Sequence, residues 1–306
     1  MSDARQCLED YLSIRRQLGF KLRKDERMLR AFIAFLQEAG AARITTELAL
    51  TWARLPADAH PSHWRARLGV VRLFARYLAT IDPESEIPSA DLLPAHRPRV
   101  PPYLYSPADI AALIQAARAL TPPLRAATCE TVIGLLWSTG MRIGEALALD
   151  RRDVELSDGA LHVRGRQDKQ RELPLHESAV AALRRYARLR DRRWPDPETP
   201  AFFLSTLGSR LSYEAFNHTF RGLVRQAGIQ GRGARGRVRA HDLRHSFAVR
   251  ILVQLYEAGA DVERLMPVLS AYLGHQDPAS TFWYLQAAPE LMALISQRLE
   301  RVAELL

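Results

Sequence analysis

Apolar positions recur at helical spacing along most of the chain. Leu8, Tyr11, Leu12 and Leu18 form a first stripe that ends near Gly19, and Met28, Leu29, Phe32, Ile33, Phe35 and Leu36 form a second that Gly40 stops. Thr45 or Thr46 can cap a short third helix running through Trp52. Pro61-Ser62 opens a fourth, with Trp64, Leu68, Val71, Leu73, Phe74 and Tyr77 on its apolar side. Residues 1–93 therefore read as a helical domain. Pro94, Pro98, Pro101 and Pro102, with Arg97 and Arg99 between them, then break the period; residues 94–105 read as a stiff, extended, basic linker. A second domain, residues 106–306, starts with a complete helix-opening signal. Ser106 is an N-cap, Pro107 fits the first helical position, and Asp109 can reach back in a capping box.

The second domain is mostly helical with one β interruption. Residues 131–139 form an apolar helix closed by Gly140. Val154 and Leu156, Leu161 and Val163, then Leu173 and Leu175 alternate as short strands of a small antiparallel sheet, with Asp158-Gly159 as a tight turn. The second turn, residues 165–171, is polar and basic, and is expected to project as a mobile tip. Helices resume at residues 177–190, 213–226 and 265–272, with a short buried run at 202–204. Leu291, Ile295, Leu299, Val302 and Leu306 make a last helical stripe. The fold class is mainly α with a small antiparallel β-sheet: a helical N-terminal domain and a mixed α+β second domain.

Composition narrows the partners. Hydrophobic residues make up 47% of the 306-residue chain, enough for a real core, and the formal charge of +9 favours a polyanion, nucleic acid before membrane. Cys7 and Cys129 lie far apart and form no CxxC, which argues against a disulfide framework or a structural zinc and suits a reducing cytosol. No apolar run follows the N-terminus and none is long enough to span a bilayer, so a cytoplasmic protein is expected. Arg15, Arg16, Lys21, Arg23, Lys24 and Arg27, then Arg65, Arg67, Arg72 and Arg76, put two basic faces on the N-terminal domain, the footprint of a DNA-facing surface.

The chemistry concentrates in the second domain. Six arginines without an intervening acidic residue (Arg221, Arg225, Arg232, Arg235, Arg237 and Arg239) lead into His241-Asp242-Leu243-Arg244-His245-Ser246-Phe247-Ala248. Guanidinium forks match phosphate oxygens, and a neighbouring histidine can donate a hydrogen bond or carry a proton near neutral pH. Arg142 follows the helix-ending Gly140, where its side chain can enter a cleft, and Glu145 can orient it from behind or form a surface ion pair with it. Lys169 lies in the basic hairpin turn. His275 follows Leu273-Gly274, and Tyr284 comes nine residues later. His241 and His245, at i and i+4, also admit a zinc-hydrolase reading, but Asp242 stands where the common protease motif has glutamate and Arg244 would set a cation beside the metal.

Arginine at a Thr-Gly turn, lysine on a hairpin, His-x-x-Arg, Leu-Gly-His and then tyrosine, in this order, resemble the tyrosine recombinases, the family of phage integrases and Xer-type enzymes. Thr139-Gly140-Met141-Arg142-Ile143-Gly144-Glu145 resembles the first arginine box and the His241–Ala248 stretch the second. The likeness covers most of residues 106–306; residues 1–93 resemble the family's core-binding domain less specifically. The resemblance implies a site-specific recombinase that cuts and rejoins DNA through a 3′-phosphotyrosyl bond, with no metal, nucleotide or other cofactor. Tyr284 would be the nucleophile, Arg142 and Arg244 the clamp on the non-bridging oxygens, His275 a further donor, His241 the acid/base group, Lys169 the acid for the leaving 5′-oxygen, and Glu145 the orienter of Arg142. Arg166, Arg235, Arg237 and Arg239 would add DNA contacts.

Two departures stand out. The hairpin reads Gly165-Arg166-Gln167-Asp168-Lys169 without the second glycine usual before the lysine, and Arg166 and Arg171 compete with Lys169 as its cation. Trp283-Tyr284-Leu285-Gln286 lacks the histidine that commonly follows the tyrosine by two, a form more similar to integrases of transposons and mobile elements. The resemblance further implies double-stranded DNA as partner, a tetramer on two paired sites, accessory DNA-bending or sister recombinase proteins, a place on the nucleoid, and a C-terminal helix (residues 289–306) that docks on a neighbouring subunit or folds back on its own. A topoisomerase-like nicking-rejoining enzyme and a non-catalytic DNA-binding protein of the same fold remain alternatives.

Overall fold

The computed structural model describes residues 2–94, 101–165, 170–231, 238–275, 281, 282, 284 and 285. Lys169, Arg166, Arg235, Arg237 and the C-terminal stretch 289–306 lie outside the described residues. The chain divides into two compact units, Met1–Val100 and Pro101–Leu306.

The first unit holds helices α1 (Ser2–Gln17), α2 (Arg23–Glu38), α3 (Thr46–Arg54) and α4 (Pro61–Leu78). Thr45 caps α3, its hydroxyl accepting from the Leu48 amide at 3.2 Å, and Pro61 opens α4 at a position that needs no amide donor. The apolar stripes converge on one core around Leu12, Leu29, Phe32, Trp52, Leu68, Val71 and Phe74. Phe32 meets Trp52 edge to face at 5.1 Å, a geometry that sets the positive ring edge against the negative face.

The second unit opens with α5 (Pro107–Arg118), whose capping box is complete: Ser106 Oγ accepts from the Asp109 amide at 3.1 Å, and Asp109 Oδ2 from the Ser106 amide at 2.8 Å. Residues 103–105, assigned to the linker on sequence, pack into this unit. Tyr105 is buried, and its amide donates to Ser246 Oγ at 2.8 Å. Helix α6 (Pro123–Thr139) begins earlier than the pattern suggests, because it is buried on nearly every side and so carries no one-sided stripe. A three-residue turn at Arg151–Asp153 links α7 (Ile143–Ala148) to the antiparallel sheet β1 (Val154–Glu155), β2 (Ala160–Arg164), β3 (Gln170–Pro174), in that spatial order. Leu161 pairs with Leu173 and Val163 with Arg171. Then come α8 (Glu177–Arg193), the buried run Ala201 to Leu204, α9 (Tyr213–Gln226), α10 (Asp242–Glu257) and α11 (Val262–Leu273). Among the described residues no helix is long and apolar enough to cross a membrane.

Gly140 ends α6 in the left-handed region at φ 62°, and a Cβ there would lie 2.3 Å from Phe247 Cδ1 of α10. The glycine therefore lets α10 approach the α6 terminus. Gly140→Ala combines a left-handed alanine with overpacking and should destabilise the second unit by about 3 kcal/mol, read as a lowered urea midpoint.

Candidate active site

Four helix ends meet where the second unit brings its polar side chains together: the C-terminus of α6, the start of α7, the first turns of α10 and the end of α11. Helix termini expose unpaired peptide groups, so each end supplies polar partners without breaking a helix. Arg244, in the first turn of α10, is 2% exposed. Its Nη1 donates to Gly140 O at 3.0 Å and its Nη2 to Leu273 O at 2.7 Å. The carbonyl ends of α6 and α11 thus receive one guanidinium, where their partial negative charge favours a cation. Burial, and then the charge of Arg142, bring its pKa down to about 10, so it stays charged at neutral pH.

Arg142 stands at the N-cap of α7. Its Nη1 donates to Glu145 Oε1 at 2.9 Å and its Nη2 to Gly274 O at 2.9 Å, while its backbone amide donates to Glu145 Oε2 at 2.9 Å. The Arg142–Glu145 pair is therefore no surface ion pair: the Glu145 side chain is 8% exposed, that of Arg142 38%. Burial alone would raise the Glu145 carboxyl, but hydrogen bonds from Arg171 and Arg142 outweigh it, and the pKa lies below the ordinary value.

Arg171 is the residue the sequence analysis placed wrongly. It does not project into solvent, its side chain being 16% exposed. Its Nη1 and Nη2 donate to Glu145 Oε1 and Oε2 at 3.2 and 2.8 Å, and its Nε donates to Tyr272 O at 3.0 Å. The strand register is the cause: Arg171 shares a face with buried Leu173 and lies opposite buried Val163. The alternation that marked Leu173 and Leu175 as inward already carried this information.

Three imidazoles line the other side. His241 and His245 pack edge to face with centroids 4.8 Å apart. Tyr284 is 2% exposed, its ring 5.4 Å from that of His245 and 6.1 Å from that of His275. His275 Nδ1 and the buried Thr281 hydroxyl share a hydrogen bond at 2.6 Å; nothing in the sequence pattern singled out Thr281. Burial first, and the surrounding arginine charges after it, push His241 and His275 down to about 4; for His245, burial, then the neighbouring His241 and the arginine charges, push it down to about 3. All three are neutral at pH 7. Burial raises the Tyr284 phenol above its ordinary value, against the charge of Arg244 and a hydrogen bond from it. Among the described residues, no group of three or more His, Cys, Asp or Glu side chains is arranged to hold a metal ion.

The fold therefore gathers Arg142, Glu145, His241, Arg244, His275 and Tyr284. The basic residues assigned to DNA are more dispersed. Arg15 stacks on Phe20 at 3.9 Å, Arg16 pairs with Glu26 at 2.5 Å, and Arg65 donates to Leu93 O at 3.1 Å. Arg67 lies 3.7 Å over the Trp52 ring and donates to its carbonyl at 2.8 Å, which ties α4 to α3. Arg72 is partly buried, whereas Lys21, Arg23 and Lys24 are exposed. Arg239 is bound to fully buried Asp242 through Nη2 at 2.8 Å and its amide at 2.9 Å, bracing the start of α10.

The model of the phage integrase family matches residues 105–290, more than half of the chain. The chain belongs to that family. As a tyrosine recombinase it is a site-specific recombination enzyme, and its relatives agree. It is 46% identical over 310 residues, 98% of each chain, to y4rB of Sinorhizobium fredii (strain NBRC 101917 / NGR234), whose name describes it as an integrase/recombinase. It is 27% identical to the tyrosine recombinase XerC of Chlamydia pneumoniae, over 73% of this chain and 67% of that protein. The recombinase also shares its fold with the Tn1549 transposon integrase in complex with transposon right end DNA, at a TM-score of 0.68 and 17% identity, covering 98% of this chain and 99% of that one.

Proposed function

We infer that this recombinase cuts and rejoins double-stranded DNA through a covalent bond to Tyr284. The observation that carries the reading is the placing of the Tyr284 phenol against Arg244, between two neutral imidazoles. The Tyr284 Oη attacks a backbone phosphorus and gives up its proton; the bond from phosphorus to the 5′-oxygen breaks, and that oxygen leaves as a 5′-hydroxyl. The DNA keeps a 3′-phosphotyrosyl link whose energy is available for rejoining, so no nucleotide is consumed. A free phenol has a pKa of about 10 and needs an acceptor, which neutral His241 supplies. Arg142 and Arg244, with His275, stabilise the charge that gathers on the non-bridging oxygens, a contribution of roughly 3–4 kcal/mol per donor. Their fixed charge fills the role a metal ion plays elsewhere. Lys169 protonates the leaving oxygen.

The helical unit adds sequence-independent phosphate contacts through its exposed Lys21, Arg23 and Lys24. Assembly as a tetramer on paired sites, with accessory proteins where the element requires them, completes the reading, as does a place on the nucleoid.

Covalent trapping tests it. Nicked duplexes from DNA flanking the protein's own gene are mixed with the chain, the reaction is stopped with detergent, and the adducted peptide is mapped. The expected adduct is on the peptide that contains Tyr284. Tight binding with no adduct on any duplex would point to the non-catalytic reading, and an adduct on another tyrosine would reject Tyr284.

A further inference from the structure

We propose that Arg171 is a positioning residue of the recombination site: it acts through Glu145 and the Tyr272–Gly274 turn to set Arg142 and His275, and does not itself hold the DNA phosphate. The inference rests on the catalytic reading of Arg142 and His275 given above. Two arginines grip one carboxylate, and their surroundings separate their tasks. Arg142 has a side chain 38% exposed, while that of Arg171 is 16% exposed and faces the core side of the sheet. Arg171 commits its three nitrogens to protein acceptors: two to the Glu145 oxygens in a fork-to-fork pair, and Nε to Tyr272 O at 3.0 Å.

The second link is steric. Gly274 ends α11 in the left-handed region at φ 68°, and a Cβ there would lie 2.8 Å from Arg171 Nη1. The guanidinium therefore lies directly against the turn that presents His275, and the carbonyl of the same Gly274 accepts from Arg142 Nη2 at 2.9 Å. One side chain thus touches both supports, the carboxylate behind Arg142 and the turn before His275.

Charge gives Arg171 a further task. Alone, Arg142 and Glu145 would form a neutral pair, and the carboxylate would compete with a phosphate for the Arg142 guanidinium. With Arg171 present the trio carries a net +1, leaving the charge of Arg142 for the substrate. Arg171 also stands two residues after Lys169. The strand that follows Lys169 is therefore anchored on the same carboxylate as Arg142.

The test compares the full chain with Arg171→Lys, Arg171→Met, Glu145→Gln, Glu145→Gln/Arg171→Met, Arg142→Ala and, as a packing control on the same strand face, Leu173→Ala. Single-turnover adduct formation is measured on a nicked duplex that the parent chain cleaves, alongside its affinity for that duplex and the urea midpoint of each variant. Arg171→Met should lower the cleavage rate about 100-fold and Arg171→Lys about tenfold, with affinity held within about threefold. In the Glu145→Gln background the loss from Arg171→Met should shrink below about tenfold, because the charge it offsets is gone. Leu173→Ala should lower the midpoint yet cleave at nearly the parent rate.

A readout without DNA runs in parallel. The Nε–H resonance of Arg142, assigned through Arg142→Ala, and the His275 imidazole resonances should shift in Arg171→Met while those of remote Arg190 stay in place. Cleavage by Arg171→Met at the parent rate, an undiminished loss in the Glu145→Gln background, or unmoved Arg142 and His275 resonances would each overturn the proposal. Parent-level cleavage by Arg142→Ala would instead overturn the catalytic reading, and moved resonances would still establish the positioning.

Discussion

Tyr284→Phe is expected to leave the fold and DNA affinity intact and to abolish covalent capture. The phenylalanine ring keeps the packing between His245 and His275, since the centroid contacts at 5.4 and 6.1 Å involve the ring and not the hydroxyl. What disappears is the atom proposed to attack phosphorus. Removing a hydroxyl nucleophile from an enzyme that depends on it costs about 10⁵-fold or more, so no adduct should rise above background after prolonged incubation. The substitution also removes the phenol held by Arg244, which frees that guanidinium for a phosphate. Affinity for the uncleaved duplex should therefore be equal to or slightly above that of the parent chain. Denaturing electrophoresis of radiolabelled nicked duplex reads the adduct, and a filter or gel-shift titration reads the affinity. A variant that still forms an adduct at a measurable rate would reject Tyr284 as nucleophile. A variant that loses binding together with cleavage would show that the tyrosine supports the fold and leave its chemistry without support.

Much of this site is legible in sequence because local signals build it. Gly140 and Gly274 end helices one or two residues before Arg142 and His275, so the glycine that stops each helix also aims the next polar side chain at the shared cleft. His241 and Arg244 are fixed relative to each other by one turn of α10. The capping box of α5 and the antiparallel pairing of β1 with β2 and of β2 with β3 depend on neighbours close in the chain, and the sequence states them.

Where the partner comes from a distant element, the sequence is silent or misleading. Arg67 reads as one more charge on a basic face, yet Trp52 from another helix takes its guanidinium. Helix α6 hides its first turns because burial on all sides erases the stripe. Arg171 shows the general difficulty: its charge argues for solvent and its strand parity argues for the core. Parity decides, because a carboxylate from α7 and a carbonyl from α11 wait on the inner side to receive it.

Arg244→Lys should be the most damaging charge-conserving substitution in the chain. The arginine is 2% exposed and joins the carbonyls of Gly140 and Leu273, which close α6 and α11, so the proposed phosphate ligand is also the tie between two helix ends. Lysine keeps the charge but offers a single nitrogen at the end of its stem and cannot reproduce a planar fork directed at two carbonyls and a phosphate. One of the buried carbonyls loses its donor, which costs about 1–3 kcal/mol of stability. Cleavage loses more. A preorganised donor to the developing charge contributes about 10²–10³ in rate, and the displaced ammonium also disturbs the hydrogen bond to Tyr284, so a loss of about 10³-fold is expected. The two effects separate experimentally: urea unfolding gives the stability change, and adduct formation at a temperature where the variant is fully folded gives the rate. A folded Arg244→Lys variant that cleaves within about threefold of the parent rate would show that its point charge suffices and that the fork geometry contributes nothing to the chemistry.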